Sequence, residues 1–586
     1  MLKRGFLFLF FALLSGIFSA VPLAAQNSFT LEIKASQKKD RKLISALKYR
    51  KKFPSDSLRK KELDLFFTRL AAEGYVDATQ DSSIQDNTGR LSVYISLNQA
   101  YEWGKLSKGN LNEAVIDEIN FSPKDFDGQY FNYHKLIAIE EAVIKYYEDH
   151  GYPFACVKLD SIKIKNRKIN AAFKLTEGPL IHIDTIVVTG YDRLHPKYIY
   201  RLLDIKPGDV YSEEQINQIE RQFSTIGFAS EQKPAVVAFS GESADIKLFL
   251  QKQRVNIFDG VIGFQPNTGQ DNKLVLTGNL RLKLLNSFKR GELIDINWQA
   301  PQNASQNLQL HFAYPYLFNS PIGLDYEFGL LKQDSTFINI RNKPGLLFMM
   351  NGLEYVKISG DFFSSNSLGE VDTNNLPPDA AILDMNSQVL QVELNLNRLD
   401  YIFNPRKGWT ANLSAGYGTK KIVRQHDIND SYYDSIPLKS DQFNLKLELS
   451  WFIPIFKRQT ILLANKSAMM SGDYLLNNEL YRIGGFSSLR GFDELSLYAS
   501  TYSIFTIEWR LLVERNSYIN VFWNGAYVEN ASLDHKTYDQ PMGFGAGISF
   551  QTKAGIFTMA YALGRQQGNP ILFNEAKIHF GYSARF

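Results

Sequence analysis

Hydrophobic and polar positions follow two different rules along this chain. Up to about residue 253, apolar residues recur at helical spacing in three stretches, each closed by a glycine and an aromatic residue. LDLFFTRLAAEGY ends at Gly74 and Tyr75, IEEAVIKYYEDHGY at Gly151 and Tyr152, and INQIERQFSTIGF at Gly227 and Phe228. The three glycines stand 77 and 76 residues apart, which indicates repeated domains. A glycine closes a helix at positive φ without a Cβ clash. In the second stretch Leu136, Ile139, Val143 and Tyr147 share one helical face. Alternating segments at 91–98, 171–175 and 245–250 complete the units, and Ile181, Ile183, Ile186 and Val188 open the third. The pattern predicts three small α+β modules, at residues 26–100, 101–179 and 180–253.

From about Val255 the period changes to two. Leu280, Leu282 and Leu284 alternate with Asn279, Arg281 and Lys283. Phe505, Ile507, Trp509, Leu511 and Val513 alternate with Thr506, Glu508 and Arg510, and Leu512 breaks the rule. A soluble sandwich also alternates. Here the runs reach roughly ten residues, the spanning length of a tilted membrane strand. Their polar faces carry Lys, Arg and Glu, which a wet lumen tolerates. Connectors fall into a short class (NSFKRG, FNPRKG, ERNSY, TKAG) and a long class (364–387 and 420–441), as outer-membrane barrels require. Residues 254–586 are therefore expected to form a transmembrane antiparallel β-barrel of about 16 strands.

Composition agrees with that division. Of 586 residues 13% are aromatic, 44% hydrophobic and 22% charged, which excludes a disordered chain and a polytopic helical membrane protein. A net charge of +4 gives no argument for nucleic acid. Lys3 and Arg4, an apolar run to Leu14 and the small residues Ala24 and Ala25 read as a secretory signal peptide at residues 1–25. Cys156 is the single cysteine, so an intrachain disulfide and a multi-cysteine metal site are excluded; it reads as a small buried apolar residue. A basic cluster at 34–61, Arg59 among its members, reads as a solvated face, with contact to an anionic partner or headgroups as the alternative.

Three motifs carry a family resemblance. GPLIHIDTIVVTG, then KPGDVY, then a helix ending in GF, resembles a POTRA domain. RIGGFSSLRGFDE holds Gly484, Gly485, Leu489, Arg490, Gly491 and Phe492, and resembles the signature loop of the BamA/TamA superfamily. DYIFNPRKGW, with Asp400, Pro405, Gly408 and Trp409, resembles another barrel turn of that family. The last segment, AKIHFGYSARF, places Ile578, Phe580, Tyr582 and Phe586 on one face and is similar to a bacterial β-signal. The layout is most similar to the TamA branch. The resemblance implies three periplasmic POTRA modules before an outer-membrane barrel of a Gram-negative bacterium. It also implies that the Arg-bearing loop folds into the lumen and meets the inner wall. The family's wall motif has Asp followed two residues later by Gly; Asn524 and Ala526 stand there in this sequence. Arg490 is therefore expected to bond Asn524 or the inward-facing Glu508.

The function this implies is assembly, insertion or translocation of outer-membrane proteins. The modules would receive clients by strand addition. The barrel would insert them through a lateral seam between 255–265 and the last strand, weakened by Gly260, Gly263 and Gly581. The expected partners are unfolded outer-membrane protein clients, outer-membrane lipids and periplasmic or lipoprotein accessory proteins, without nucleic acid. A two-partner-secretion-type exporter and a passive porin or surface-binding barrel are the alternatives. No catalytic residue, metal site or cofactor is expected, since no nucleotide, hydrolase or zinc motif occurs. GFGAG at 543–547 reads as a strand with lumen-facing or close-packed glycines. Basic short turns (Lys289, Arg290, Arg406, Lys407, Lys457, Arg458, Arg515, Lys553) are set against acidic long loops (Glu370, Asp372, Asp379, Asp384, Asp427, Asp430, Asp434). That contrast suggests a basic periplasmic rim meeting anionic lipid, with ordinary solvated turns as the equal alternative.

Overall fold

The computed structural model describes residues 29–191, 194–266, 274–300, 305–333, 335–350, 352–368, 382–426, 428, 430–532, 536–553, 555–568, 571 and 576–586. The signal-peptide segment and Glu370, Asp372, Asp379 and Asp427 lie outside the described residues.

Three modules repeat one plan: a strand, two helices and a β-hairpin whose last strand runs parallel to the first. In the first, Phe29–Ala35 pairs with Arg90–Ser96, and helices Arg41–Ala46 and Asp56–Ala72 lie between them. In the second, Glu102–Ser107 pairs with Lys168–Thr176 around helices Glu113–Glu118 and Tyr133–Asp149. In the third, His182–Thr189 pairs with Ser243–Lys252 around Pro196–Leu203 and Glu213–Ile226. None of the short first helices was read from the sequence: two have six residues, too few turns to show a period, whereas Pro196–Leu203 buries Tyr198, Ile199, Leu202 and Leu203 on one face, a signal the sequence carries. The closing glycines behave as their position demands: Gly74, Gly151 and Gly227 have φ of 93°, 94° and 80°. In the first two modules the following tyrosine N–H reaches back five residues, Tyr75 to the Leu70 carbonyl and Tyr152 to that of Tyr147, both at 2.9 Å.

Two expectations for these modules are corrected. Cys156 is exposed, not buried. It starts the edge strand Cys156–Lys165, where alternation turns Val157 into the core and Cys156 to the opposite face. Arg59 belongs to no solvated face. Its guanidinium is buried against Asp56 and donates to the Gly89 carbonyl at 2.8 Å, stitching the helix to the hairpin turn.

The molecule divides into one unit holding the first two modules and another holding the third module with the barrel. The barrel is a closed ring of sixteen antiparallel strands, from Ile257–Pro266 to Lys577–Arg585, with the three-residue Thr537–Asp539 added at its edge. Strands run from 8 to 18 residues. Outward positions such as Phe505, Ile507, Val513 and Val521 are exposed, while inward neighbours such as Glu508, Asn520 and Asn524 are buried. Leu512, the exception to alternation, faces inward and is buried. The long loops are shorter than expected. Strands Tyr355–Ser367 and Met385–Leu399 extend into 364–387, and Gly408–Ile422 and Lys439–Phe456 into 420–441. The reason is packing: Phe363, Met385 and Ile422 at the strand ends form a small core with Leu383, Ile428 and Tyr433 from the loops.

The third module touches the short-turn end of the barrel. Asn286 Nδ2 donates to the Tyr191 hydroxyl at 3.1 Å, and the His195 N–H donates to the Lys289 carbonyl at 3.0 Å. The ring of Tyr198 packs at 5.6 Å from Tyr316 and crosses Gly291 so closely that a Cβ there would fall 2.1 Å from it.

Candidate functional site

The loop between strands Gln459–Gly472 and Thr501–Glu514 turns into the barrel. Its stem is a small hairpin, Tyr481–Ile483 against Leu497–Ala499. Gly484, Gly485 and Gly491 have φ of 114°, 93° and 98°, so each tight reversal falls where a side chain would strain the backbone. Ser488 Oγ holds the first reversal, accepting from the Gly484 N–H and donating to its carbonyl, both at 2.9 Å. Leu489 and Phe492 are buried with Ile483 and Ala499 of the stem and with Ile504, Ala526 and Val528 of the wall. Ala526 thus supplies a methyl group to this cluster.

Those apolar anchors set Arg490 against the inner wall. Its Nε donates to Asn524 Oδ1 at 3.0 Å and its Nη1 to Glu508 Oε2 at 2.7 Å. The guanidinium carbon lies 3.5 Å from the centroid of the Phe522 ring. The structure therefore brings Arg490 to both expected partners, not to one. Glu508 shares its second oxygen with Arg510 Nε at 2.7 Å, and Asn524 Nδ2 donates to Thr506 Oγ1 at 2.6 Å. A planar five-donor cation can hold all of this at once, where an ammonium could not.

The opposite side of the loop tip rests on glycines. A Cβ on Gly543 would fall 1.8 Å from the Arg490 carbonyl oxygen, and one on Gly564 would fall 2.4 Å from that of Gly491. GFGAG is a wall strand whose inward glycine makes room for the loop.

A second fastening was not visible in the sequence. At the loop's entry Lys420 Nζ pairs with Glu479 Oε1 at 2.6 Å, both side chains 1% exposed. Gln442 Nε2 donates to the other Glu479 oxygen at 3.1 Å. Asn478 Nδ2 donates to Ser365 Oγ at 2.7 Å, and its carbonyl accepts from Asn339 Nδ2 at 2.7 Å. Arg482 stacks between Phe337 at 5.2 Å and Tyr498 at 4.7 Å. The sequence places Lys420 at the start of a long loop, and its partner lies 59 residues further on. The loop is thus a strap fastened twice to different wall strands, by Glu479 to Lys420 and by Arg490 to Glu508 and Asn524.

A further lumenal network centres on Lys357, whose Nζ lies 3.2 Å from Asp325, 2.7 Å from Glu327 and 3.1 Å from Glu393. His311 pairs with Asp325 at 2.7 Å. His311, Asp325 and Glu327 are close enough together to hold a metal ion. The ammonium of Lys357 already bonds both carboxylates, so a second cation there would meet repulsion.

At the ring closure Ile578, Phe580 and Phe586 face outward and are exposed, 70%, 69% and 50%. Tyr582 shares their parity and packs on Phe557 at 4.5 Å. His579 faces inward, its Nε2 accepting from the Gly491 N–H at 3.4 Å. Among the described residues, first and last strands pair only at Ile257–Arg585 and Phe258–Ala584, against ten pairs between the first two strands and seven between the last two. The structure does not bring the seam glycines together. Gly260 packs on Leu280 of the second strand, Gly263 pairs with Thr277, and Gly581 stands opposite Thr558. All three lie beyond the point where pairing across the seam stops.

Fold and lumen together define a class: a barrel with a strap in its lumen and a small α+β module on its short-turn end, in a chain with two further modules of the same plan. A family model described as the Omp85 superfamily domain matches residues 286–586, more than half of the chain, and a POTRA model described as surface antigen variable number repeat matches 181–252. The chain belongs to the Omp85 superfamily. It is an outer-membrane barrel with its POTRA modules on the periplasmic side. The outer membrane protein assembly factor BamA of Nitratidesulfovibrio vulgaris is 20% identical over 200 residues, 33% of this chain and 25% of that protein. The match thus spans about a quarter of that relative's length. CdiB from Escherichia coli is similar in fold at a TM-score of 0.53 and 14% identity, covering 90% of this chain and 98% of that one. CdiB from Acinetobacter baumannii gives 0.50 at the same identity and coverage.

Proposed function

We propose that the protein assembles or inserts outer-membrane proteins, receiving clients on its periplasmic modules and releasing them into the bilayer through the barrel seam. The observation that carries this reading is the seam itself, closed by two residue pairs where the neighbouring strands make many more. Backbone groups left unpaired in lipid are costly, so a client strand that pairs with them gains free energy. The modules offer matching edges. Cys156–Lys165 is an edge strand with Ile162 and Ile164 exposed beside Lys163 and Lys165, an amphipathic template for an extended chain. Client folding and burial in lipid supply the energy, and the reading assigns no catalysis to the chain. Periplasmic or lipoprotein accessory proteins are proposed as partners on the same modules.

The test is a disulfide across the seam. Phe258 and Ala584 stand directly opposite each other, so Phe258→Cys with Ala584→Cys, in a Cys156→Ser background, places two thiols within bridging range. Oxidation is expected to stop client insertion into liposomes, and reduction to restore it. Insertion that continues at full rate with the bridge closed would exclude the seam route.

A further inference from the structure

The outer wall holds a concavity that client handling does not use. Trp409, Trp451, Leu463, Ile507 and Trp523 stand directly opposite one another across five consecutive strands, forming one outward row. The next outward row, away from the short turns, includes Ala411 and Gly525, where the wall sinks. The ring of Trp523 lies over Gly525, where a Cβ would meet it at 2.4 Å. At the same level strand Ser517–Asn530 changes partner, from Met542 at Gly525 to Asp539 at Val528. The result is an apolar groove of about 880 Å³. Among its polar lining residues, Asn465 is occupied: it bonds Ser503 at 3.1 Å and accepts from Ser467 at 2.8 Å.

The turns on the periplasmic side of the groove are basic. Lys407 is two residues from Trp409, and Arg458 five from Leu463. Arg406, Lys407, Lys457 and Arg458 are exposed and make no ion pair among the described residues. The nearby Asp400 carboxylate is taken up by the backbone N–H groups of Arg406 and Lys407, at 3.0 and 3.2 Å. The groove therefore joins an apolar slot at acyl-chain depth to cationic side chains at headgroup depth.

We propose that this groove binds an anionic diacyl phospholipid of the periplasmic leaflet, one acyl chain along the tryptophan row and its phosphate between the 406–407 and 457–458 turns. The proposal rests on the outer-membrane location alone and not on client insertion. It commits to lipid because charge and apolarity meet here in the order a phospholipid presents them.

Tryptophan quenching by brominated lipid tests it on the full chain in phosphatidylcholine nanodiscs. Dibrominated phosphatidylglycerol is expected to quench at roughly one tenth the mole fraction that dibrominated phosphatidylcholine needs. Lys457→Gln with Arg458→Gln should abolish that preference. Lys289→Gln with Arg290→Gln, at a basic turn far along the ring, should keep it. Equal potency of the two lipids would overturn the proposal. So would equal loss in both variants, which would mean attraction to the whole rim. Absence of quenching by either lipid would mean that a protein segment covers the groove, and would overturn it too.

Discussion

Arg490 anchors the tip of the strap. It makes two charge-assisted hydrogen bonds and stacks on Phe522, and its partner Glu508 is nearly inaccessible. Arg490→Ala is expected to destabilise the folded barrel by about 2 kcal/mol, the cost of a hydrogen bond to a buried charge, with Arg510 retaining part of the pairing. Arg490→Lys should recover less than half, because an ammonium cannot reach Glu508 and Asn524 in one plane. Urea midpoints read from the heat-modifiable band on unboiled gels check both. Glu231 in the third module is a second sensitive residue. Burial, then the neighbouring Glu220 carboxylate, pushes its carboxyl up to about 7 against a hydrogen bond from the Ala235 backbone, and among the described residues its buried Oε1 has no hydrogen-bond partner. The folded value lies above the ordinary 4.5, so the folded module holds the proton more tightly than the unfolded chain does. The resulting stabilisation is complete below about pH 4 and is lost as pH rises through about 7. Hydrogen exchange of Ala229–Ser240, corrected for intrinsic rate, should quicken over that range, and Glu231→Gln should remove the trend.

Among the elements, the strap shows what local sequence can and cannot convey. Its glycines and Arg490 sit within nine residues, so the turn chemistry was legible, and the wall partner was implied by the motif's family resemblance. The Lys420–Glu479 anchor was not, because it depends on which wall strand the loop entry meets. The same limit hid the burial of Arg59, decided by a hairpin turn 30 residues away, and misplaced Cys156, whose face depends on the phase of its strand. Gly543 makes the fit of loop to wall testable. Gly543→Val puts a side chain where the Arg490 carbonyl now lies, so the tip must lift. Larger and longer-lived conductance steps in planar bilayers are expected, with the barrel still heat-modifiable. Unchanged conductance would mean that the strap tip does not limit the pore.

The whole molecule depends on closing its ring. Two residue pairs and the Phe586 N–H donating to the Asn256 carbonyl at 3.1 Å link the last strand to the first end of the barrel. Deleting Phe586 removes that bond and an outward aromatic, and is expected to lower the folded, heat-modifiable fraction severalfold in a liposome folding assay. A residue-level change of similar size on the lipid face, such as Val513→Ala, should leave it near wild type.

Period and punctuation in the sequence determined the division into three modules and a barrel and the inward and outward faces of most strands, while the loop that enters the lumen was implied by its motif's resemblance to a family. The division and the faces follow from backbone geometry over a few residues: a helix repeats at 3.6, a strand at two, and glycine alone turns freely at positive φ. Tertiary structure decided how few pairs close the seam, which wall residues fasten the strap, and where the outer wall sinks into a groove. Each of those depends on register between strands far apart in the chain, and register is set when the ring closes, not within any one strand.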